Sequence, residues 1–260
     1  MKHRLILVCA VSLCVAACGG SSSNSPTASS SSSSSVAQPQ PSTSSIAATA
    51  APQSTLLAGN AHPKYPRGAP GQVSVVYQAP IQPQSTGTSV PIVFRNNTSA
   101  AIAHVDISAT AKDPTGKIVA SGASQGTDPS TVQPGQWAFA FIFFESGTDL
   151  APNDTLSFSF QTTPASTESF NTAAIQVTQA NLSGSSIAGG VQNRTGHPVE
   201  GPISVHAYCL NSAGDPTSVV TGFTSSSLGN LVPDATDSFQ LDLYDQSCPS
   251  FLVGASGYYS

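Results

Sequence analysis

From about Gln72 to the C-terminus, apolar and polar side chains alternate with a period of two, the pattern of strands with one buried face. Val105, Ile107, Ala109 and Ala111 alternate with Asp106, Ser108 and Thr110, and Trp137, Phe139, Phe141 and Phe143 share one face of the next run. Leu156, Phe158 and Phe160 alternate with Ser157 and Ser159, and the pattern returns at Ile203–Cys209 and Phe239–Leu243. Turn signals separate the runs: Asp113-Pro114-Thr115-Gly116, Gln133-Pro134-Gly135, Ala213-Gly214-Asp215-Pro216 and Val232-Pro233-Asp234. No part of this region carries a helical stripe. An all-β architecture of sandwiches follows.

The pattern also repeats. Phe94-Arg95-Asn96-Asn97-Thr98 matches Val191-Gln192-Asn193-Arg194-Thr195, the strand Val105–Ala111 matches Ile203–Cys209, and Pro134 matches Pro233. Each copy then reaches a Gly-centred turn, at Gly116 and Gly214. A near-constant offset argues for duplication, so two tandem immunoglobulin-like β-sandwich domains are expected, at 70–181 and 182–260. Between Gly19 and Ala69 the texture differs: a serine run at Ser29–Ser35, then Gln38-Pro39-Gln40-Pro41, with almost no charge. Such a segment buries too little apolar surface to offset its ordering entropy. Residues 18–69 therefore read as a disordered Ser/Pro-rich tether with a reach of roughly 40 Å.

Ahead of the tether, Met1-Lys2-His3-Arg4 is followed by apolar Leu5–Val15 and then Ala16-Ala17-Cys18-Gly19. This is the layout of a secretory signal, shorter than the roughly 20 residues needed to span a bilayer. With cysteine at the cleavage point it resembles the lipobox of bacterial lipoproteins. That resemblance implies removal of residues 1–17, lipid on the Cys18 sulfur and acylation of its new amino group. Without the signal, six Lys and Arg face thirteen Asp and Glu, a net charge of −7. No basic cluster remains, which removes the electrostatic footprint of a nucleic-acid binder and of a protein held on anionic lipid by charge. Attachment to the membrane would come from acyl chains at Cys18, two or three of which hold stably.

A strand ending in Asn-x-Thr, an alternating strand, Asp-x-x-Gly-Lys, a Pro-Gly turn and an aromatic strand together resemble the FxLYD-type domain, a small immunoglobulin-like sandwich of bacterial surface proteins. Asn96, Thr98, Asp113, Gly116, Lys117, Pro134, Gly135 and Phe139 carry the match in the first copy. In the second, Asn211 replaces the Asp, Asp215 the Lys and Asp234 the Gly. The resemblance implies a fold and an envelope location, and no reaction.

Candidate chemistry is sparse. Cys209 and Cys248 are the thiols left after processing, and one even pair in an exported chain reads as a disulfide. Cys209 falls on the inward phase of its strand. Gly122-Ala123-Ser124-Gln125-Gly126 fits G-x-S-x-G, but Thr127-Asp128-Pro129-Ser130 cannot start the helix that a nucleophile elbow requires. His104 and His206 fall on the polar phase of their strands, and surface exposure is expected for both. No histidine spacing suggests a metal site. Asp234, Asp237, Asp242 and Asp245 read as loop carboxylates rather than an acid/base pair. No cofactor, no metal and no enzymatic activity are expected. The expected role is a non-catalytic binding or structural module, lipid-anchored on the extracytoplasmic side of a bacterial envelope. Its partner would be an envelope protein or glycan. The alternative is a carbohydrate- or small-ligand-binding accessory of an envelope enzyme or transporter. Corresponding loops of the two copies, Asn96, Asn97 and Thr98 with Arg194, Thr195 and His197, are the expected interaction surface.

Overall fold

The computed structural model describes residues 54–226 and 229–260, so the signal segment, Cys18 and the tether up to Gln53 lie outside the described residues. Alternation becomes fourteen strands, with no helix among the described residues. In chain order they are β1 (Ala58–Gly59), β2 (Val73–Gln78), β3 (Thr88–Asn96), β4 (Ile102–Lys112), β5 (Ile118–Asp128), β6 (Thr131–Val132) and β7 (Trp137–Phe144). Then follow β8 (Thr155–Pro164), β9 (Thr172–Ser183), β10 (Ser186–Gln192), β11 (Val199–Leu210), β12 (Pro216–Phe223), β13 (Thr236–Asp242) and β14 (Ser250–Tyr259). They form two antiparallel seven-stranded sheets, ordered β2-β3-β7-β5-β4-β6 with β8 on β4, and β12-β11-β14-β9-β10-β13 with β1 on β14.

The same plan runs twice. The pairings β2–β3, β3–β7, β4–β5 and β4–β8 recur as β9–β10, β10–β13, β11–β12 and β11–β14. The halves differ in closure: β5 pairs with β7 in the first, whereas β14 pairs with β9 in the second. Each sheet curls around its own core. Phe94, Ile92, Ile107, Ile142 and Phe144 fill the first, and Ile175, Ile187, Val205, Leu241 and Phe251 the second. Full burial of a ring such as Phe94 contributes about 1.5–3 kcal/mol. Cys209 and Cys248 are disulfide-bonded inside the second core, as expected.

Asn-x-Thr makes one clamp in both halves. Asn96 Nδ2 donates to Ala100 O (2.8 Å) and Val132 O (2.9 Å), while Asn193 Nδ2 donates to His197 O (2.8 Å) and Leu231 O (2.6 Å). Each amide oxygen accepts from the backbone N–H, at 3.0 Å, and the hydroxyl, at 2.7 Å, of the threonine two residues on. Asp113 and Asn211 cap their turns equivalently, accepting from the N–H of Lys117 and of Asp215. Asp234 takes a left-handed φ of 63° where the first copy has Gly135 at 79°.

Two boundaries move. The tether expected to reach Ala69 gives way to fixed chain by Ser54: β1 pairs with β14, and Leu57, Ala61 and Tyr65 are buried. Val177 N–H donates to Leu56 O (3.0 Å), and Asn60 bonds Pro249 O and Phe251 N–H (both 2.8 Å). A few well-placed apolar residues in a polar segment suffice when a seam accepts them. The strand β9, read as the end of the 70–181 domain, hydrogen-bonds to β10 and β14 of the second sheet, so the junction falls at 165–171 rather than at Asn181.

Candidate binding site at the seam between the sheets

Both faces of β7 and most of β11 are buried, because each strand serves two cores. On β7, Ala138, Ala140, Ile142 and Phe144 face the first core, while Trp137 and Phe139 face outward into a third cluster with Tyr65, Tyr208, Leu210 and Leu252. Phe139 stacks on Tyr208 with ring centroids 4.5 Å apart, and Tyr65 meets Trp137 edge-on at 5.1 Å. The segment before β2 stitches the sheets together. Tyr65 donates its hydroxyl to Gly214 O (2.8 Å), while Arg95 donates Nε to Pro66 O and Nη2 to Tyr65 O (both 3.0 Å).

A polar weld sits beside the aromatic cluster. Asp128, at the end of β5, is fully buried; its Oδ2 accepts from Tyr208 Oη (2.9 Å) and lies 2.7 Å from His206 Nδ1. Against a carboxylate, Nδ1 is the donor. Room for Asp128 comes from Gly254, the ladder partner of His206: a Cβ there would lie 2.4 Å from Asp128 Cβ. Burial, and then the Asp128 charge, push the Tyr208 hydroxyl well above its ordinary pKa. His206 is 5% exposed, which corrects the expectation of a surface histidine. His206 does lie on the face of β11 opposite Cys209, but the first sheet covers that face.

The other candidates fall as follows. Ser124 lies within β5, where its Oγ accepts the Ile107 N–H at 2.9 Å. Gly126, at φ 119°, makes a β-bulge with Gln125, and Gly122 allows close approach of β7: a Cβ would lie 2.6 Å from Phe143 O. G-x-S-x-G is here a strand with a bulge. Among the described residues no serine hydroxyl bonds a histidine ring, and no group of His, Cys, Asp and Glu converges to hold a metal. Of the expected interaction loops, Asn96 and Asn193 are buried with their amides spent on the clamps, and the Thr98 and Thr195 hydroxyls are tied to the same clamps. Asn97 donates to Ala69 O (3.0 Å). Arg194 is exposed, and His197 is exposed with its ring edge-on to Tyr259.

Above the weld lies a cleft of about 290 Å³ whose lining includes His206, Ser124, Ser204, His104, Asp106 and Tyr258. A second cavity of about 480 Å³ adjoins it through His104 and is bordered by Phe170, Glu168 and Asn171. His104 enters both because β4 bulges at His104–Val105 against β8, with His104 at a left-handed φ of 45°. Its N–H is held by Thr172 Oγ1 (3.0 Å). Reading strands one at a time missed this site, since its walls come from β4, β5, β9, β11 and β14. The one available signal was the apolar and aromatic run Val205-His206-Ala207-Tyr208-Cys209-Leu210, too continuous for a strand with a solvent face.

No family model matches the chain, and no curated protein matches it. Among solved structures, the secreted serine protease VesC from Vibrio cholerae matches at 11% identity over 73% of this chain, with a TM-score of 0.19. The chain covers 47% of that protein's length, and a likeness at that score bears on neither fold nor activity.

Proposed function

We propose that the protein is a bacterial envelope lipoprotein, lipid-anchored at Cys18, that presents two welded immunoglobulin-like sandwiches as one non-catalytic binding module on the extracytoplasmic side. Support for the location comes from the lipobox-like start and from the Cys209–Cys248 disulfide, a bond that persists in oxidising compartments. One observation carries binding over catalysis. The polar groups a hydrolase would need are consumed by the fold: Asp128 and His206 join the sheets, and the Ser124 hydroxyl completes the hydrogen bonding of β4. What remains exposed is the cleft above the weld.

Detergent-phase partitioning of the full chain expressed in bacteria, combined with a serine-hydrolase activity probe, tests this reading. The wild type should enter the detergent phase, Cys18→Ala should leave it, and neither should take the probe. Unchanged partitioning of Cys18→Ala, or labelling that Ser124→Ala abolishes, overturns it.

A further inference from the structure

We infer that the two cavities meeting at His104 form one groove for a neutral, polyhydroxylated glycan chain, with sugar rings laid on Phe170 and Tyr258. The inference rests on the binding-module reading and names its ligand class.

The first support is an aromatic with no role in folding. Phe170 is 78% exposed, yet its backbone is left-handed, at φ 65°, which is a true outlier for a bulky residue. The fold holds it there: Phe170 N–H donates to Tyr259 O (2.9 Å), Tyr259 N–H to Asn171 O (2.9 Å), and Asn171 Nδ2 to Ser166 Oγ (2.9 Å). Nothing is gained in packing, and strain of this kind gathers at ligand clamps. Across His104, itself left-handed, Tyr258 is 47% exposed on the adjoining cleft. Two exposed aromatic surfaces thus flank one groove, suited to the C–H faces of pyranose rings.

The second support is the polar lining. Neither cavity wall contains a lysine or arginine, while Asp106 and Glu168 are exposed on it. Phosphate, sulfate or uronate would meet like charge there with no lysine or arginine to offset it, the nearest imidazole, His104, lying 3.8 Å from Asp106. Sugar hydroxyls can donate to those carboxylates, the stronger class of hydrogen bond, and accept from the surrounding hydroxyl, amide and imidazole groups. The volumes, about 480 and about 290 Å³, are those of adjoining subsites rather than a single deep pocket, which fits a chain better than a monosaccharide.

Saturation-transfer NMR on the full-length protein in a non-glycosidic detergent provides the test. Cellohexaose, laminarihexaose, maltohexaose and chitohexaose serve as neutral probes, with hexagalacturonate as the anionic one. At least one neutral probe should bind and hexagalacturonate should not. Phe170→Ala and Tyr258→Ala should each weaken binding roughly two- to tenfold. Tyr244→Ala is the control: Tyr244 is 81% exposed at φ 52° but lines neither cavity, so binding should hold. Preference for hexagalacturonate, binding indifferent to both aromatic variants, or a photocrosslink from position 170 to protein rather than glycan overturns the inference. So does silence from every neutral probe. If that silence comes with Cys18-dependent partitioning and no hydrolase labelling, the glycan fails while the broader reading survives.

Discussion

Replacing Asp128 by alanine tests whether the two sheets behave as one body. The carboxylate takes the Tyr208 hydroxyl at 2.9 Å and the His206 ring at 2.7 Å, both buried. Truncation leaves two donors without partners, at about 1–3 kcal/mol each. Some of that returns, because Asp128 Oδ1 has no hydrogen-bond partner and its desolvation ends with the side chain. The net cost is about 2–5 kcal/mol. With a urea m-value near the upper end of the usual range, about 3 kcal/mol/M, the midpoint should fall by about 0.7–1.7 M. Trp137, the single tryptophan, lies in the seam, so its fluorescence reports the seam while far-UV circular dichroism reports all strands. The two curves should coincide in the wild type. Tyr208→Phe alone should cost about 1–2 kcal/mol, and the double variant should cost less than the sum, since both remove one bond. A midpoint shift below about 0.2 M for Asp128→Ala, or strict additivity of the pair, would refute the weld.

Three further outcomes follow from the same geometry. Tyr208 and Tyr65 are both raised from the ordinary 10.0, chiefly by burial, so the unfolded chain releases protons that the folded chain retains. Their contribution is full below pH 10 and declines above it, by about 1.4 kcal/mol per pH unit for each, and Tyr208→Phe should flatten urea midpoints measured from pH 9 to 11. Reducing Cys209–Cys248, which spans 39 residues, should cost about 4 kcal/mol by loop-closure entropy, read as a drop in thermal midpoint on adding reductant. Asn96→Asp and Asn193→Asp each lose two buried amide donors and should destabilise by about 2–4 kcal/mol in urea, whereas Asn97→Asp, which is half-buried, should cost less.

What the chain disclosed before folding was what depends on neighbours two residues apart or on residue type. Val105, Ile107 and Ala109 declared an inward face by alternation alone, and they occupy it. Cys209 and Cys248, read as one even pair, declared their bond. Asn96 and Asn193 were legible as matching positions, but their use was not: an Asn at a strand end is compatible with a contact loop or with a clamp, and only the carbonyls of Val132 and Leu231, brought in from far along the chain, decide it. Leu57, Ala61 and Tyr65 were invisible for a related reason. Apolar residues scattered through a polar segment have no periodicity, and their burial depends wholly on a surface made by strands elsewhere.

The histidine at position 206 shows where alternation stops being informative. Period two separates a strand's faces without saying whether the second face meets water or another sheet. His206 and Tyr208 oppose Cys209 in phase, and in an isolated sandwich they would be solvated. Here Gly254 removes the one side chain that would keep β5 away, Asp128 enters, and the polar face becomes an interior. The same event makes the cleft, because docking the sheets brings the bulges of β4 and β5 against β9 and β14. Fold and site therefore share one cause. A substitution that separates the sheets, Gly254→Ala before any other, should abolish the groove without touching a residue that faces a ligand, and loss of binding there would report the seam rather than contact chemistry.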